Sequence, residues 1–351
     1  MYFKQFLHDE HGCASYFIAS RSSREAAVVD PQTDIDLYLD VAVNRGYRIT
    51  TVIDTHLHAD HVSGNRALAK ATGAKVCLHS SADVDFEFTR LEDGEVVGIG
   101  QLELRVVHTP GHRLEELSLL VVNPPRSPEP SMVLSGDTLF VGDVGRPDFG
   151  GAEGAAQQWD SVHRLLNLPD WVEVFPAHFE GTCGKAMCGR PSTTIGFERR
   201  FNPVLGLSHE EFLSYAEKPP ARPLNMTAIM ATNQGRADLP GAQDLGGVPA
   251  PRLELEQAKA LIAGHAVILD VREPDEYTSG HLPGARNMPQ ADILMRIGEI
   301  PRNEHLLVVC ESGARSQGAA RFLIGQGYHD VVDMAGGTSA WRSAGEPLEY
   351  A

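Results

Sequence analysis

The chain has 351 residues, 42% of them hydrophobic, and a formal net charge of −17. That length exceeds what one compact core usually takes, so two domains are expected. The acidic balance argues against nucleic acid or an anionic membrane surface as a partner, because both need clustered Lys and Arg. No apolar run approaches the roughly 18 residues of a membrane span. The opening "MYFKQFLHDEHG" carries early charges and no long apolar core, so no signal peptide is expected. Cys13, Cys77, Cys183, Cys188 and Cys310 form an odd, scattered set. They make no disulfide framework and point to a reducing, cytoplasmic setting.

In chain order, "TTVIDT" reads as a β-rich apolar run and leads into "THLHADH" (55–61), where His56, His58, Asp60 and His61 crowd together. "SGNRALAKATG" reads as a helix, with Ser63 as start signal and Gly73 as stop signal. Further β-rich runs follow: "KVCLH", "LELRVVH", "LSLLVV", "SMVLSGD" and "WVEVFPAH". Four of these runs end in a metal-ligand type of residue. His56 follows the first, His112 follows "LELRVVHTPG", Asp137 follows "MVLSG", and His178 follows "VEVFPA". Loops at strand ends are where α/β sheets build their sites, because the sheet fixes the loop and leaves its side chains in the cleft. Any one of these histidines reads as a surface or core residue. The set reads as a metal site.

"AEKPPARP" (216–223) and "TNQGRADLPGAQDLGGVPAP" (232–251) read as linker. We expect a first domain over 1–235, a linker over 236–251 and a second domain over 252–351. In the second, "AVILDV" and "LLVVC" read as buried parallel strands, and "RSQGAARFLIGQG" as the helix after the latter. Both halves therefore read as α/β or layered αβ folds.

Cys310 sits at the end of an apolar strand, just before that helix. The loop Cys310, Glu311, Ser312, Gly313, Ala314, Arg315, Ser316 is expected to curl backbone N–H groups toward the sulfur. Those donors and the positive helix end favour the thiolate, the form that attacks. Gly313 allows the tight turn. Arg315 adds a fixed charge for an incoming anion, and Ser316 is expected either to donate a further hydrogen bond or, as the preferred role, to cap the helix. A phosphatase loop is the competing active reading. Such loops run C-x5-R, whereas Cys310 and Arg315 are spaced C-x4-R, a smaller cradle that suits a sulfur atom better.

The pattern H-x-H-x-D-H, then "TPGH", "SGDTLF" and "PAH", resembles the metallo-β-lactamase superfamily over most of residues 1–230. The resemblance implies an αβ/βα sandwich with the site at one edge of two packed sheets. Many members hold two zinc ions. His56, His58, His112 and Asp137 would then hold one ion, and Asp60, His61, His178 and Asp137 the other, an arrangement for hydrolysis. However, "GDTLFVGDVGRPDF" (136–149) and "GTCGKAMCGRPSTTIGFERRFNP" (181–203) are more similar to the persulfide dioxygenase branch. That resemblance implies one Fe(II) per chain, held by His56, His112 and Asp137, with His58, Asp60, His61 and His178 supporting the ligands. Two imidazoles and a carboxylate leave coordination positions open for O2 and a persulfide. Glutathione persulfide would be oxidised to sulfite, with release of glutathione. Arg66, Arg113, Lys185 and Arg190 are candidate anchors for its carboxylates, or else solvated surface charges. Cys183 and Cys188, spaced C-x4-C, are expected to be pocket-loop residues rather than a second metal site.

"AVILDVREPDEYTSGHLPGARNMP" (266–289), "VVCESGARSQGAARFLIGQGY" and "DMAGGTSAWRSAGEPL" resemble a rhodanese domain with a parallel sheet. The resemblance implies transfer of sulfane sulfur between thiosulfate or sulfite and a thiol or persulfide, through a persulfide on Cys310. Asp270 and Arg272 are expected to form a buried ion pair, and Glu276 and His281 to serve structure or the pocket rim. Taken together, the chain resembles persulfide dioxygenase–rhodanese fusions, for which a homodimer is the family expectation. Two readings compete: a dinuclear zinc thioester hydrolase of the glyoxalase II type with a rhodanese appended, and a non-catalytic sulfur-binding protein.

Overall fold

The computed structural model describes residues 1–9, 12–181, 183–216, 219–239 and 249–351. These divide into two compact units, one built on Met1–His58 and Val62–Pro220, the other on Ala237–Ala351 together with Ala221–Thr232. Residues 240–248, the middle of the expected linker, lie outside the described residues. Among the described residues no helix is long and apolar enough to cross a membrane.

The first unit holds two six-stranded sheets. The first sheet runs in chain order through β1 (Tyr2–His8), β2 (Cys13–Ala19), β3 (Glu25–Val29), β4 (Arg48–Ile53), β5 (Lys75–His79) and β6 (Thr89–Leu91). The second is built from β7 (Val96–Ile99), β8 (Leu102–His108), β9 (Leu117–Asn123), β10 (Ser127–Gly136), β11 (Glu173–Pro176) and β12 (Thr193–Thr194). Pairing is antiparallel up to β3 and from β7 to β10, and parallel at β3–β4–β5–β6 and β10–β11.

Period-two alternation decides the layering, because successive strand residues point to opposite faces. Tyr16 and Ile18 of β2, Ile53 of β4 and Leu134 of β10 share the core between the sheets with Leu104, Leu119 and Phe175. Their neighbours point the other way. Phe17, Val28 and Val52 pack with Tyr38 and Val41 of α1 (Asp36–Arg45) and Leu68 of α2 (Asn65–Thr72). Val133 and Val174 pack with Val162 and Leu165 of α3 (Gly154–Leu166), Ile195 of α4 (Ile195–Phe201) and Phe212 of α5 (His209–Ala216). The result is the expected αβ/βα sandwich.

The start signal for α2 is displaced by one residue. Gly64, not Ser63, is the N-cap. The Ser63 hydroxyl accepts from Asn65 N at 3.2 Å and donates to Asp54 Oδ1 at 3.0 Å, so it turns the chain ahead of the helix. The stop is as read, with Gly73 in the left-handed region.

The second unit holds a five-stranded, all-parallel sheet in the order β13-β17-β16-β14-β15. Ahead of it stands α6 (Met226–Asn233), whose last residue, Asn233, belongs to the first unit; then come β13 (Arg252–Leu253), α7 (Leu255–Ala263), β14 (Val267–Asp270), α8 (Pro274–Thr278), β15 (Arg286–Asn287), β16 (Leu306–Val309), α9 (Ala314–Gly325), β17 (Val331–Met334) and α10 (Gly337–Ser343). Alternation again splits the strands: Leu306 and Val308 pack on one face with Phe322 and Leu323 of α9, Leu307 and Val309 on the other with Ala258 and Trp341. Helices on both faces explain why these strands read as unbroken apolar runs.

Candidate metal centre and cysteine loop

The first unit places its ligand-type residues just beyond four strand ends: His56 after β4, His112 after β8, Asp137 after β10 and His178 after β11. The turn into Asp137 needs a glycine. Gly136 has φ +53°, and a Cβ there would lie 2.1 Å from Glu116 Oε1. One atom each from His56, His112 and Asp137 lies within 4.8 Å of the other two. Asp137 Oδ2 is 3.4 Å from His112 Nε2 and 3.8 Å from His56 Nε2.

The outer nitrogens fix the tautomers. His112 Nδ1 donates to the Arg146 carbonyl at 2.8 Å. The Thr55 hydroxyl donates to Asp30 at 3.1 Å, so it accepts from His56 Nδ1 at 3.0 Å; Glu116 Oε2 lies 3.3 Å from the same nitrogen. Both Nδ1 atoms therefore carry protons, and both Nε2 lone pairs turn toward Asp137 Oδ2. Burial lowers the pKa of His112, which keeps its imidazole neutral. Two lone pairs and a carboxylate oxygen then converge at separations long for hydrogen bonds. Ligand atoms about 2.0–2.2 Å from one ion stand about 3–3.4 Å apart; the His112–Asp137 pair already has that spacing and His56 lies slightly beyond it, so a shared cation would draw the set together.

The other loop residues divide differently from the dinuclear scheme. The His58 Nε2 atom donates to Asp30 Oδ1 at 3.2 Å, and His58 groups with Asp30 and Asp54 rather than with the triad. His178 Nδ1 donates to Asp137 Oδ1 at 2.7 Å. His178 also groups with Cys13, Asp60 and His61, and with Asp137 and Cys183. The Asp60 carboxylate lies 3.3 Å from His61 Nδ1. Cys183 is buried, its Sγ 3.8 Å from His178 Nε2, while Cys188 is exposed.

Several orienting residues escape sequence reading. Buried Glu116 accepts from Asp137 N at 2.7 Å while its other oxygen faces His56. Burial, then the Asp137 charge, pushes the Glu116 carboxyl well above the usual carboxylate range. A cation beside this dry cluster of carboxylates would offset that shift. Gln158 Oε1 accepts from His112 N at 2.8 Å. Asn233 Nδ2 donates to the His58 carbonyl at 2.8 Å, and its Oδ1 accepts from Ser63 N at 2.9 Å, so one side chain pins both ends of the histidine loop. The available signal was position: Glu115 and Glu116 stand immediately before the apolar strand β9, and Asp30 immediately after β3.

The candidate cationic anchors are scattered. Arg66 is exposed on α2, its guanidinium 5.3 Å from the Phe86 ring centroid. Arg113 Nε donates to Glu115 at 2.9 Å. Lys185 lies in the loop after His178, donates to the Tyr215 carbonyl, and lines a depression with Glu180, Met187 and Cys188. Arg190 is exposed at the end of that loop.

In the second unit, fully buried Cys310 follows β16 directly. Gly313, at φ +92°, is the N-cap of α9, and its amide donates to Cys310 Sγ at 3.1 Å. Ser316 does not take the preferred role of capping the helix but the alternative one, a further hydrogen bond at the loop. Its hydroxyl sits 3.3 Å from Cys310 Sγ and 2.5 Å from Asp333 Oδ1, inside the first turn. Ser312 and Ala314 are exposed, and Glu311 accepts from Arg272, Ser339 and Arg342. Arg315 lies beside the loop but is engaged: both terminal nitrogens donate to Glu276, at 2.6 and 2.7 Å. Glu276 thus sits at the rim as that cation's partner. Asp270 and Arg272 form the expected buried pair at 2.7 Å. His281 stacks on Tyr277, with centroids 3.7 Å apart.

Residues 8–178 match the Metallo-beta-lactamase superfamily, and residues 254–344 match the Rhodanese-like domain. The chain is 31% identical over 225 residues to the mitochondrial persulfide dioxygenase ETHE1 of Bos taurus, covering 61% of this chain and 80% of that protein. It is 34% identical over 168 residues to the hydroxyacylglutathione hydrolase of Rhodospirillum rubrum, covering 46% of this chain and 60% of that protein. It spans 55% of the length of the beta-lactamase hydrolase-like protein of Agrobacterium fabrum, at 30% identity over 247 residues and 61% of this chain. The crystal structure of ETHE1 from Myxococcus xanthus superposes with a TM-score of 0.59 at 32% identity, covering 68% of this chain and all of that one (100%). The chain belongs to the metallo-beta-lactamase superfamily and carries a C-terminal rhodanese-like domain.

Proposed function

We propose that the first domain is a persulfide dioxygenase, with one Fe(II) per chain held by His56, His112 and Asp137. The observation that carries this reading is the three-residue convergence itself. Nε2 of His56, Nε2 of His112 and Oδ2 of Asp137 face one another, while His58 is drawn away to Asp30. Two neutral imidazoles and one carboxylate make the ligand set of non-haem Fe(II) oxygenases. When bound there, ferrous iron supplies the one-electron chemistry that lets triplet O2 react with a closed-shell persulfide.

The protein's own groups set the stage for that reaction. The Arg146 carbonyl and the Thr55–Glu116 pair hold the Nδ1 protons and aim both imidazoles. His178 holds the second oxygen of Asp137, while Oδ2 faces the two imidazoles. Burial of all these groups excludes bulk water. Glutathione persulfide is the proposed substrate and sulfite and glutathione the products, with Lys185 and Arg190 as carboxylate anchors from the loop after His178.

A second reading has a specific observation behind it. Cys13, Asp60, His61 and His178 also bring donor atoms within 4.8 Å of one another, and one of the similar proteins is a hydroxyacylglutathione hydrolase. A dinuclear zinc thioester hydrolase would use that cluster for the second ion. Oxygen uptake with glutathione persulfide, run beside hydrolysis of a glutathione thioester, separates the two. Uptake without thioester cleavage is expected; thioester cleavage without uptake would refute the dioxygenase.

For the second domain we propose sulfane-sulfur transfer through a persulfide on Cys310, between thiosulfate or sulfite and a thiol or persulfide. It is supported by a buried thiol at a strand end, with a backbone donor on its sulfur at 3.1 Å. The domain division at residues 236–251 and a cytoplasmic setting belong to the same proposal.

A further inference from the structure

Two polar groups reach the buried Cys310 sulfur: the Gly313 amide, a donor at 3.1 Å, and the Ser316 hydroxyl, placed to donate to it at 3.3 Å. A hydroxyl carries one proton, and Asp333 Oδ1 lies 2.5 Å from the same oxygen. A carboxylate at that range outcompetes a sulfur for the proton, because a charge-assisted bond is about twice as strong as a neutral one. Ser316 therefore meets the sulfur with a lone pair. It offers an acceptor to a thiol that has no contact with solvent.

Asp333 is itself fully buried within an otherwise apolar strand, "VVDM". Its other oxygen accepts from Arg252 Nε at 2.6 Å, and Arg252 Nη2 donates to the Gly313 carbonyl at 2.6 Å. One buried carboxylate thus orders both groups that meet the sulfur. Arg252 and the Glu276-paired Arg315 are the charged side chains facing the thiol and Asp333; Arg272 and Arg342, both bonded to Glu311, flank the loop. Burial raises the Asp333 carboxyl above its ordinary range, against the opposing bonds from Ser316 and Arg252.

We propose that Asp333 is a positioning residue that receives the Cys310 thiol proton through Ser316. The proton passes from Sγ to Ser316 Oγ as the hydroxyl's own proton passes to Asp333 Oδ1. The sulfur keeps its electron pair and becomes the thiolate. Under the sulfurtransferase reading on which this rests, the thiolate attacks the outer sulfur of thiosulfate. A new S–S bond forms, the old one breaks, and sulfite leaves with the bonding pair. No oxidant or reductant is consumed.

The test uses the full-length chain and iodoacetamide, with alkylation followed on the Cys310 peptide by mass spectrometry, because the exposed Cys188 reacts as well while Cys310 is buried. Asp333→Asn and Ser316→Ala should each slow alkylation near neutral pH by about tenfold or more. The deficit should close in mild alkali, and Ser316→Thr, which keeps the hydroxyl, should react like the parent. Wild-type rates in either variant, or a deficit that persists at every pH, would overturn the relay and leave Asp333 a structural partner of Arg252. If circular dichroism shows Asp333→Asn unfolded, the Ser316 variants alone decide. Parallel measurement of sulfite release from thiosulfate by the parent protein tests the transferase reading separately, since alkylation does not depend on it.

Discussion

The two sites are assembled on different scales. The candidate metal centre gathers His56, His112, Asp137 and His178 from four loops far apart in the chain, each loop fixed by its own strand. The cysteine loop presents its nucleophile, its amide donor and its cation within the single stretch Cys310–Arg315. Both nevertheless depend on a buried carboxylate supplied from elsewhere: Glu116 behind His56 and Asp137, Asp333 behind Ser316 and Gly313. The reacting groups can be local or distributed, but in both places the groups that orient them are tertiary.

The sharpest contrast comes from removing one central residue at each site. Asp137→Ala should lose bound iron and reduce oxygen uptake with glutathione persulfide to background. Cys310 in that variant should still take sulfur from thiosulfate, as read by the mass of its peptide. Iron retained at full occupancy would mean that another carboxylate is the ligand. Cys310→Ser should abolish thiosulfate-dependent transfer and leave oxygen uptake with added glutathione persulfide largely intact. A large fall in uptake would show that the two reactions are coupled.

A smaller effect is expected one layer out. Glu116→Gln keeps the shape but removes the carboxyl group behind His56, and should weaken metal affinity by about 10–100-fold. Metal-binding titration against a competing chelator reads this directly, and an unchanged affinity would assign Glu116 to packing alone.

These outer residues mark the limit of what the sequence made legible. His56, His112, Asp137 and His178 could be found because each follows a recognisable apolar run, whose end marks where a loop begins. Cys310 could be found for the same reason. Glu116, Asp30, Gln158 and Asn233 could not, because a lone Glu or Asn reads as a surface residue until the fold shows it buried. Ser316 shows the same limit locally. Its place in the first turn of α9 predicts a cap, but the competing partner, Asp333, stands on β17. Arg315 also looked like a ready anion site, whereas Glu276 of α8 occupies both its terminal nitrogens.

That pair gives the mildest test. Glu276→Gln should free Arg315 and lower the KM for thiosulfate severalfold with little change in kcat; a raised KM would mean that Glu276 holds the arginine in its working position. Burial alone would raise the Glu276 carboxyl, but the bonds and charge of Arg315 outweigh it and hold the group below its ordinary 4.5. Its contribution to folding is therefore full above about pH 4.5 and fades as the pH falls through the lowered value. Acid unfolding of the second domain should begin at higher pH in Glu276→Gln than in the parent, and superimposable curves would contradict the assignment.

The most direct measurement of the central claim is metal content set against activity in one preparation. The protein should carry one iron per chain, lose oxygen uptake with glutathione persulfide when a chelator strips it, and regain uptake with Fe(II) but not with Zn(II). Two zinc ions per chain in protein that cleaves a glutathione thioester and takes up no oxygen would contradict the account.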